Sequence, residues 1–298
     1  MAAAAAASSA RVVGQGAPPR VALTFDDFNI HEFAGLPGAV RNRAILAALH
    51  ARSLKAGVFV VGRHVENAAT WRLLQSWNDA GHLVGNHSYS HPRYSRTPFS
   101  QFAQDVRRSE ALLQRLSQFR KWFRFPYLDE GATTEQRDTM RAFLSEAGYR
   151  NAHVTIDTSD WYIDVRLRAR LAKQPDADIS GYRTFYLDHI WERALFYDGL
   201  SRQVLGRSPS HILLLHHNVL NGTFLADLLD LFDRKGWQVI DPRDAYEDPL
   251  FRAVPNVVPA GQSLVWSLAK ETGRFDEVLR YPGEDGVYEA AKMDAVGL

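Results

Sequence analysis

The sequence contains no cysteine. This absence excludes disulfide bonds, thiolate nucleophiles and cysteine-ligated metals, so any bound metal must be held by histidine, aspartate or glutamate. An excess of charge of one sign is also lacking, because 35 Lys and Arg balance 34 Asp and Glu to a net charge of +1. No apolar run approaches the ~18 residues that a membrane-spanning helix needs. We therefore expect neither a nucleic-acid partner nor a transmembrane segment.

What the chain does contain is typical of a globular protein: 298 residues, 46% of them hydrophobic and 23% charged, with 11 histidines. That length allows one large domain or two small ones. Residues 1–10 are rich in alanine and lack the basic and leucine-rich parts of a secretory signal. We predict a flexible N-terminal tail over residues 1–19, with a weak leader sequence as the alternative.

Short apolar runs alternate with longer segments of helical periodicity over residues 20–240. The predicted strands cover residues 20–25, 57–61, 82–85, 121–125, 149–156, 211–215 and 237–240. The predicted helices between them cover residues 40–55, 70–80, 99–116, 133–147, 163–205 and 223–235. This alternation predicts a parallel sheet with helices outside it, in one domain over residues 20–245. Residues 246–298, with a helix near 263–273, are predicted to be a C-terminal extension packed on that domain.

Unusual polar clusters follow five of the predicted strands. They are Asp26 and Asp27, His87 to His91, Arg124 to Tyr127, Asp157 to Trp161, and the pair His216 and His217. In parallel sheets the carboxyl ends of the strands form the edge at which active sites are built. Five clusters at one edge therefore favour an active site over a purely structural origin.

Two histidines of the second cluster, His87 and His91, have H-x-x-x-H spacing in a segment that ends in Pro92. By itself this spacing is weak and also fits surface or capping histidines. Together with Asp27 the pair would form a set of two histidines and one carboxylate, which leaves open positions on Zn²⁺ or a similar ion. Asp26, the neighbouring carboxylate, would then be free to act as a base.

The ordered motifs resemble those of the NodB-homology polysaccharide deacetylases, a carbohydrate esterase family. The motifs are Thr24-Phe25-Asp26-Asp27, His87-Ser88-x-x-His91, Arg124-x-Pro126-Tyr127, Asp157-x-x-Asp160-Trp161 and Leu213-Leu214-Leu215-His216. The resemblance implies a distorted (β/α) barrel of about seven parallel strands, in agreement with the strand count. It also implies a metal-dependent hydrolase that removes acetyl groups from N-acetylated or O-acetylated sugars. A periplasmic or secreted location is typical of the family.

The resemblance implies roles for the charged residues and the histidines of the first three motifs. Asp27, His87 and His91 would hold a divalent metal, taken to be Zn²⁺, with Co²⁺ and Ni²⁺ as alternatives. Asp26 would be the general base toward the attacking water. Arg124 would pair with Asp26 and keep it ionised and oriented; its alternative is a surface cation beside a strand.

The remaining motifs imply the acid and the acetyl-binding residues. The backbone N–H of Tyr127 would hold the oxyanion. His216 would be the general acid toward the leaving amine or alcohol, and Asp160 would orient it and favour its protonated form. Trp161 and Leu214 would line a small pocket for the acetyl methyl group.

Several assignments stay open at the level of sequence. Asp157 fits a cap of the following turn as well as a catalytic role, and Trp161 fits ordinary core. Strand alternation sends His216 and His217 to opposite faces, and both satisfy the Leu-x-His pattern. We choose His216 because it continues the apolar run directly.

The chain departs from the family pattern where Phe28 and Leu128 replace the usual glycines. Both are expected to add bulk near the cleft, and residues 163–205 and the extension after 245 are expected to cover it. These departures concern the substrate rather than the reaction. Two alternatives are hydrolysis of a non-sugar amide or imide at the same metal, and a silent glycan-binding homologue without tight metal. The sequence does not predict the oligomeric state.

Overall fold

The computed structural model describes residues 17–33 and 36–298. Most of the predicted N-terminal tail, residues 1–16, lies outside the described residues. Residues 17–19 have no regular secondary structure and lead into the first strand.

The described chain forms nine strands and ten helices, with short 3₁₀ turns between them. The strands are β1 (Arg20–Asp26), β2 (Gly57–Val60), β3 (Leu83–Asn86), β4 (Phe119–Phe123), β5 (Asp129–Gly131), β6 (Arg150–Asn151), β7 (Ser210–His216), β8 (Gln238–Val239) and β9 (Ala260–Gly261). The helices are α1 (Gly38–His50), α2 (Ala68–Asp79), α3 (Phe99–Leu113), α4 (Thr134–Glu146), α5 (Asp160–Lys173), α6 (Ser180–Leu205), α7 (Val219–Arg234), α8 (Pro242–Ala245), α9 (Leu264–Glu271) and α10 (Gly286–Ala295).

Seven strands form one parallel sheet in the order β6-β4-β3-β2-β1-β7, with β8 also paired to β1. Beyond β6 the chain crosses to the opposite edge, where Ile156 forms an isolated parallel bridge with Leu213 of β7. This bridge closes the sheet into a barrel, which is distorted because β6 and β8 are only two residues long. The predicted distorted (β/α) barrel of about seven parallel strands is confirmed.

Burial along nearly their whole length explains why the sequences of β1 to β3 are mostly apolar. Every residue of β2 and β3, and every residue of β1 after Arg20, is buried. Strands of a parallel sheet are covered on both faces by the barrel interior and the outer helices, so they show no polar alternation. The largest fully buried side chain of the described residues is Trp77 of α2, whose ring lies edge-on to Phe25 at 5.6 Å between centroids.

The fifth predicted strand, residues 149–156, is split by a change of partner. The N–H of Ala152 still donates to Phe123 O of β4, at 2.7 Å, whereas the N–H groups of Thr155 and Ile156 both donate to Ile212 O of β7, at 3.0 Å. The segment therefore pairs with β4 at its start and with β7 at its end. The apolar pattern of residues 149–156 predicts an extended segment, but it does not predict the change of partner from β4 to β7.

The C-terminal residues are attached to the barrel by backbone pairing that the sequence did not predict. Strand β9 pairs antiparallel with β5, the segment directly after Tyr127 and Leu128. The N–H of Leu264 donates to Val154 O at 2.8 Å, at the start of α9. The α10 helix is also additional to the predicted elements, and it contacts α5. The proposed division of the chain at residues 19 and 245 stays a prediction.

The close contact between Gly261 of β9 and Leu128 predicts the effect of a substitution on stability. Gly261 has φ +113°, and a Cβ atom placed there would lie 1.7 Å from Leu128 O. We expect Gly261→Ala to lower the free energy of unfolding by about 1–3 kcal/mol, because backbone must move to admit the methyl group. The matched control is Gly199→Ala in α6, where nothing lies within 4 Å of the added atom and alanine favours the helix by roughly 0.5–1 kcal/mol. Thermal unfolding of both variants measures the effect, and equal stability of the two would contradict this packing.

Candidate active site

A cavity of about 730 Å³ lies at the carboxyl ends of the barrel strands. Eight of the residues predicted from the sequence line it: Asp26, Asp27, His87, His91, Tyr127, Trp161, Leu214 and His216. The other two lie behind its wall, where Arg124 contacts Asp26 and Asp160 contacts His216. The structure therefore brings all ten predicted residues together at one site, although their roles stay predictions.

Asp27, His87 and His91 form the one group of three metal-ligand side chains found in the described residues, with ligand atoms within 4.8 Å of one another. Asp27 Oδ1 lies 3.2 Å from Nε2 of His91 and 3.5 Å from Nε2 of His87. It is buried and accepts no well-aligned hydrogen bond within the described part of the chain. A buried carboxylate oxygen without a partner is costly, and two imidazoles and a carboxylate are ligands that Zn²⁺ accepts. The donor set fits a divalent cation.

Hydrogen bonding and charge prepare this group for a cation. His87 Nδ1 lies 2.8 Å from Arg124 O, an acceptor only, so Nδ1 carries the proton and Nε2 is left with its lone pair. Burial by itself raises the pKa of Asp27, but the neighbouring imidazoles of His91 and His87 hold that pKa well below its usual range. Asp27 is therefore ionised at neutral pH.

The loop that carries the two histidines is held in a strained conformation. Ser88 and His91 both have positive φ, 64° and 61°, a region that non-glycine residues rarely occupy. The N–H of His91 donates to Ser88 Oγ at 3.0 Å. The carboxylate of Asp105, from α3, accepts the N–H groups of Tyr89 and Ser90 at 2.8 and 2.9 Å. Asp105 supports the site and was missed from sequence, because helix α3 contributes it from outside the five motifs.

Arg124 is buried and bonds both oxygens of Asp26, at 3.0 and 3.1 Å from Nη1. Its Nη2 donates to Tyr246 OH at 3.1 Å and to Thr24 Oγ1 at 3.4 Å, and its Nε donates to a backbone carbonyl oxygen. Burial lowers the pKa of Arg124, but Asp26 and Tyr246 raise it above its usual value. The guanidinium is thus fixed and charged, and it orients Asp26 toward the cavity. Tyr246 is another supporting residue that no motif predicted.

His216 and His217 point to opposite sides of the last motif. His216 lines the cavity, and its Nδ1 lies 2.7 Å from Asp160 Oδ1. Burial lowers the pKa of His216, but Asp160 together with Asp27 and Asp26 raises it to about 10. His217 is fully buried, with Nδ1 3.0 Å from Asn29 O, and burial lowers its pKa to about 3. The geometry therefore favours His216 as the proton donor at this site.

Part of the sequence is similar to known proteins. Residues 14–152 match the family described as polysaccharide deacetylase. A peptidoglycan-N-acetylglucosamine deacetylase of Bacillus cereus is 28% identical over 142 residues, which make up 47% of this chain and 46% of that protein. The resemblance to the polysaccharide deacetylase family is therefore confirmed for residues 14–152. The chain spans about half the length of this relative.

Solved structures of the family share the fold. The polysaccharide deacetylase Bc1974 from Bacillus cereus superposes with a TM-score of 0.54 at 19% identity, over 74% of this chain and 90% of that chain. BA3943 from Bacillus anthracis, described as a CE4 family pseudoenzyme, superposes with a TM-score of 0.53 at 19% identity, over 77% of this chain and 66% of that chain. The family fold therefore occurs in proteins described as enzymes and as pseudoenzymes. Within the described residues, we find no helix that is both long and apolar enough to cross a bilayer.

The family's two usual glycine positions differ in their effect on this chain's cleft. Phe28 is fully buried, with its ring centroid 4.8 Å from that of His217 and 6.2 Å from that of Trp77. It does not add bulk to the cleft, because it packs in the core beside α2. Leu128 does line the cavity. Trp161 is 37% exposed and also lines it, so the alternative of an ordinary core residue does not hold.

Asp157, which the sequence left open between a cap and a site residue, has features of both. Its Oδ1 accepts the N–H of Thr158 at 2.9 Å, as a local cap does. Its side chain also lines the cavity, and burial raises its pKa to about 7. Glu284 lines the same cavity from the C-terminal segment, and burial raises its pKa to about 8. Both buried acids line the cavity, although neither is among the ten predicted site residues.

Proposed function

We propose that this chain is a metal-dependent deacetylase that removes acetyl groups from N-acetylated amino sugars in glycans. The proposal rests on the arrangement of side chains in one cavity. Asp27, His87 and His91 lie together as candidate metal ligands. Asp26 is beside them, and His216 lines the same cavity. The name of the Bacillus cereus relative, a peptidoglycan-N-acetylglucosamine deacetylase, supports an N-acetylated sugar as the substrate.

Asp27, His87 and His91 would hold the metal, with Zn²⁺ favoured by the donor set and Co²⁺ or Ni²⁺ as alternatives. A divalent cation bound there polarises a carbonyl group and makes water more acidic. The side chains leave the cavity side open to substrate, because His91 and Asp27 remain partly exposed there.

The chain's own residues supply the proton transfers. Asp26, 3.8 Å through Oδ2 from His87 Nε2, accepts the proton of the attacking water. Arg124 donates to both oxygens of Asp26 and fixes their position. His216, kept protonated by Asp160, donates a proton to the leaving amine.

Three further residues position the acetyl group in this proposal. Tyr127 has a left-handed backbone, φ 58°, at the cavity wall, and its N–H is the proposed donor to the developing oxyanion. Trp161 and Leu214 provide apolar surface in the same cavity for the acetyl methyl group.

A substrate panel tests the proposal. Metal-free protein is loaded with Zn²⁺, Co²⁺ or Ni²⁺ and assayed for acetate release from tetra-N-acetylchitotetraose, peptidoglycan fragments, acetylxylan and small amides. We expect acetate from the N-acetylated sugars. Acetate from acetylxylan alone would indicate an O-deacetylase, and turnover of small amides or imides alone would indicate the non-sugar reaction. Absence of both tight metal and acetate release would identify a silent glycan-binding homologue.

The metal site itself is tested by removing one ligand. We expect His91→Ala to weaken metal binding at least ~100-fold, because it removes a direct ligand. Mutation of residues that only hydrogen-bond to a metal ligand already lowers metal affinity about 10- to 100-fold. Elemental analysis and competition with a chelator measure the affinity. His50→Ala is the matched control, since His50 is exposed at the end of α1 and lies outside the group. Unchanged metal content in His91→Ala would rule out this ligand set.

A further inference from the structure

The C-terminal segment forms part of the wall of the active-site cavity. The residues of this segment that line it together with the motif residues are Pro259, Ala260, Gln262, Tyr281, Pro282, Glu284 and Asp285. These residues lie beyond residue 152, where the family match ends. The side chains that they add to the site therefore lie outside the matched family segment.

The exposed aromatic side chains of the described residues are concentrated at this cavity. Four are exposed in residues 17–33 and 36–298: Phe99, Tyr127, Trp161 and Tyr281. All but Phe99 line the cavity. Exposed aromatic surface gathered at one concave site is typical of ligand binding. Tyr281, at 55% exposed, has the largest exposed fraction of the four.

Tyr281 is held in place by its own segment. Its ring centroid lies 5.9 Å from that of the buried Trp266, whose Nε1–H donates to Arg280 O at 2.7 Å. Glu284, three residues further on, is buried and contacts Arg193 Nε at 2.8 Å. Each of these contacts fixes the backbone on one side of Tyr281, so little conformational entropy is lost when a ligand packs on its ring.

The same segment lies against the fourth motif. A Cβ atom placed on Gly283 would lie 3.4 Å from Asp157 Oδ2 and 3.1 Å from Gln262 Oε1. The backbone at Gly283 therefore packs closely on Asp157, which also lines the cavity. An aromatic ring and a buried acid in one cavity suit a sugar, because the ring packs on the apolar face of a pyranose and the acid forms hydrogen bonds with its hydroxyl groups.

We infer that Tyr281 is a specificity-determining residue that packs against a second sugar ring, next to the acetylated ring at the metal site. This inference rests on the proposed function. It makes an oligosaccharide, rather than a single acetylated sugar, the preferred substrate of this cavity. Its contribution is to binding, since Tyr281 lies outside the group that transfers protons.

Kinetics on two substrate lengths test the inference. For Tyr281→Ala we expect KM for tetra-N-acetylchitotetraose to rise about 3- to 10-fold, the range for one aromatic contact, with kcat within twofold of the wild type. KM for monomeric N-acetylglucosamine should not change, and Tyr281→Phe should retain wild-type values. Val278→Ala is the control, because Val278 is equally exposed in the same segment and lies outside the cavity lining.

Calorimetric binding of tetra-N-acetylchitotetraose separates this inference from the proposed function. If the wild-type protein releases no acetate but binds the oligosaccharide more tightly than Tyr281→Ala, the proposed function fails and the sugar-binding role of Tyr281 holds. If the wild type is active and Tyr281→Ala has unchanged KM and Kd, the inference is overturned. An equal rise in KM for the monomer, or a fall in kcat alone, would also overturn it.

Discussion

Asp26→Asn is expected to lower kcat by about 10²- to 10⁴-fold while the protein retains its bound metal. The amide has nearly the shape of the carboxylate but cannot accept the proton of the attacking water, and a positioned general base contributes about this factor. Asp27 Oδ1, which lies 3.2 Å from His91 Nε2, keeps its ligand geometry. Acetate release and elemental analysis on the same preparation measure both quantities.

The control for this experiment concerns Arg124, which is buried and bonded to both oxygens of Asp26. Loss of the carboxylate leaves a buried cation without its charge partner, which typically costs about 3–5 kcal/mol. Thermal unfolding must therefore show that the variant is folded at the assay temperature. The double variant Asp26→Asn, Arg124→Gln removes both charges and serves as the second test. Near wild-type turnover in either folded variant would show that Asp26 is not the base.

Asp27→Asn is the informative contrast to Asp26→Asn. The two residues are adjacent, but only Asp27 lies within the group of candidate ligands. The Asp27 variant is expected to lose metal and activity together, and the Asp26 variant to lose activity alone. Two neighbouring carboxylates that differ in this way would separate the binding role from the proton-transfer role.

The parallel barrel could be predicted from sequence because its signals are local. The apolar runs of β1, β2 and β7 are continuous, and helical periodicity separates them. The polar residues that follow each strand must then meet at one edge, since parallel strands end on the same side. Pairing of Asp26 with His216 in the register of β1 and β7 is a direct result of this geometry.

Supporting contacts between distant parts of the chain could not be predicted in this way. Tyr246 bonds Arg124 across 122 positions, and β9 pairs with β5 although the two strands are only two and three residues long. Neither leaves a periodic pattern. Phe28 shows a second limit: Asp27 and Phe28 both have positive φ, 72° and 46°, so a side chain expected near the cleft is buried in the core instead. Side-chain direction after such a turn depends on backbone angles that composition does not fix.

Asp160→Asn is expected to move the alkaline limit of activity from near pH 10 to near pH 6.5. In the wild type, burial lowers the pKa of His216, but Asp160 and the two carboxylates beyond it raise that pKa to about 10. The imidazole is therefore protonated, and able to act as the acid, throughout the neutral range. Without the charge of Asp160 its pKa falls toward the ordinary value of about 6.5 or below, so at pH 8 the protonated fraction drops roughly 30-fold. The pH dependence of kcat measures this shift.

The raised pKa of His216 also predicts that the free energy of unfolding depends on pH. A raised pKa in the folded state means that the protonated His216 stabilises the fold fully below the unfolded pKa of about 6.5. That stabilisation declines as the pH rises toward 10, and Asp160→Asn should remove the decline. Asn218→Ala is the matched control, because Asn218 Nδ2 donates to Asp160 Oδ2 at 3.1 Å and its loss leaves the carboxylate charge in place. If the control moved the alkaline limit as far as Asp160→Asn does, packing rather than charge would set the pKa of His216. If Asp160→Asn left the limit near pH 10, His216 would not be the acid.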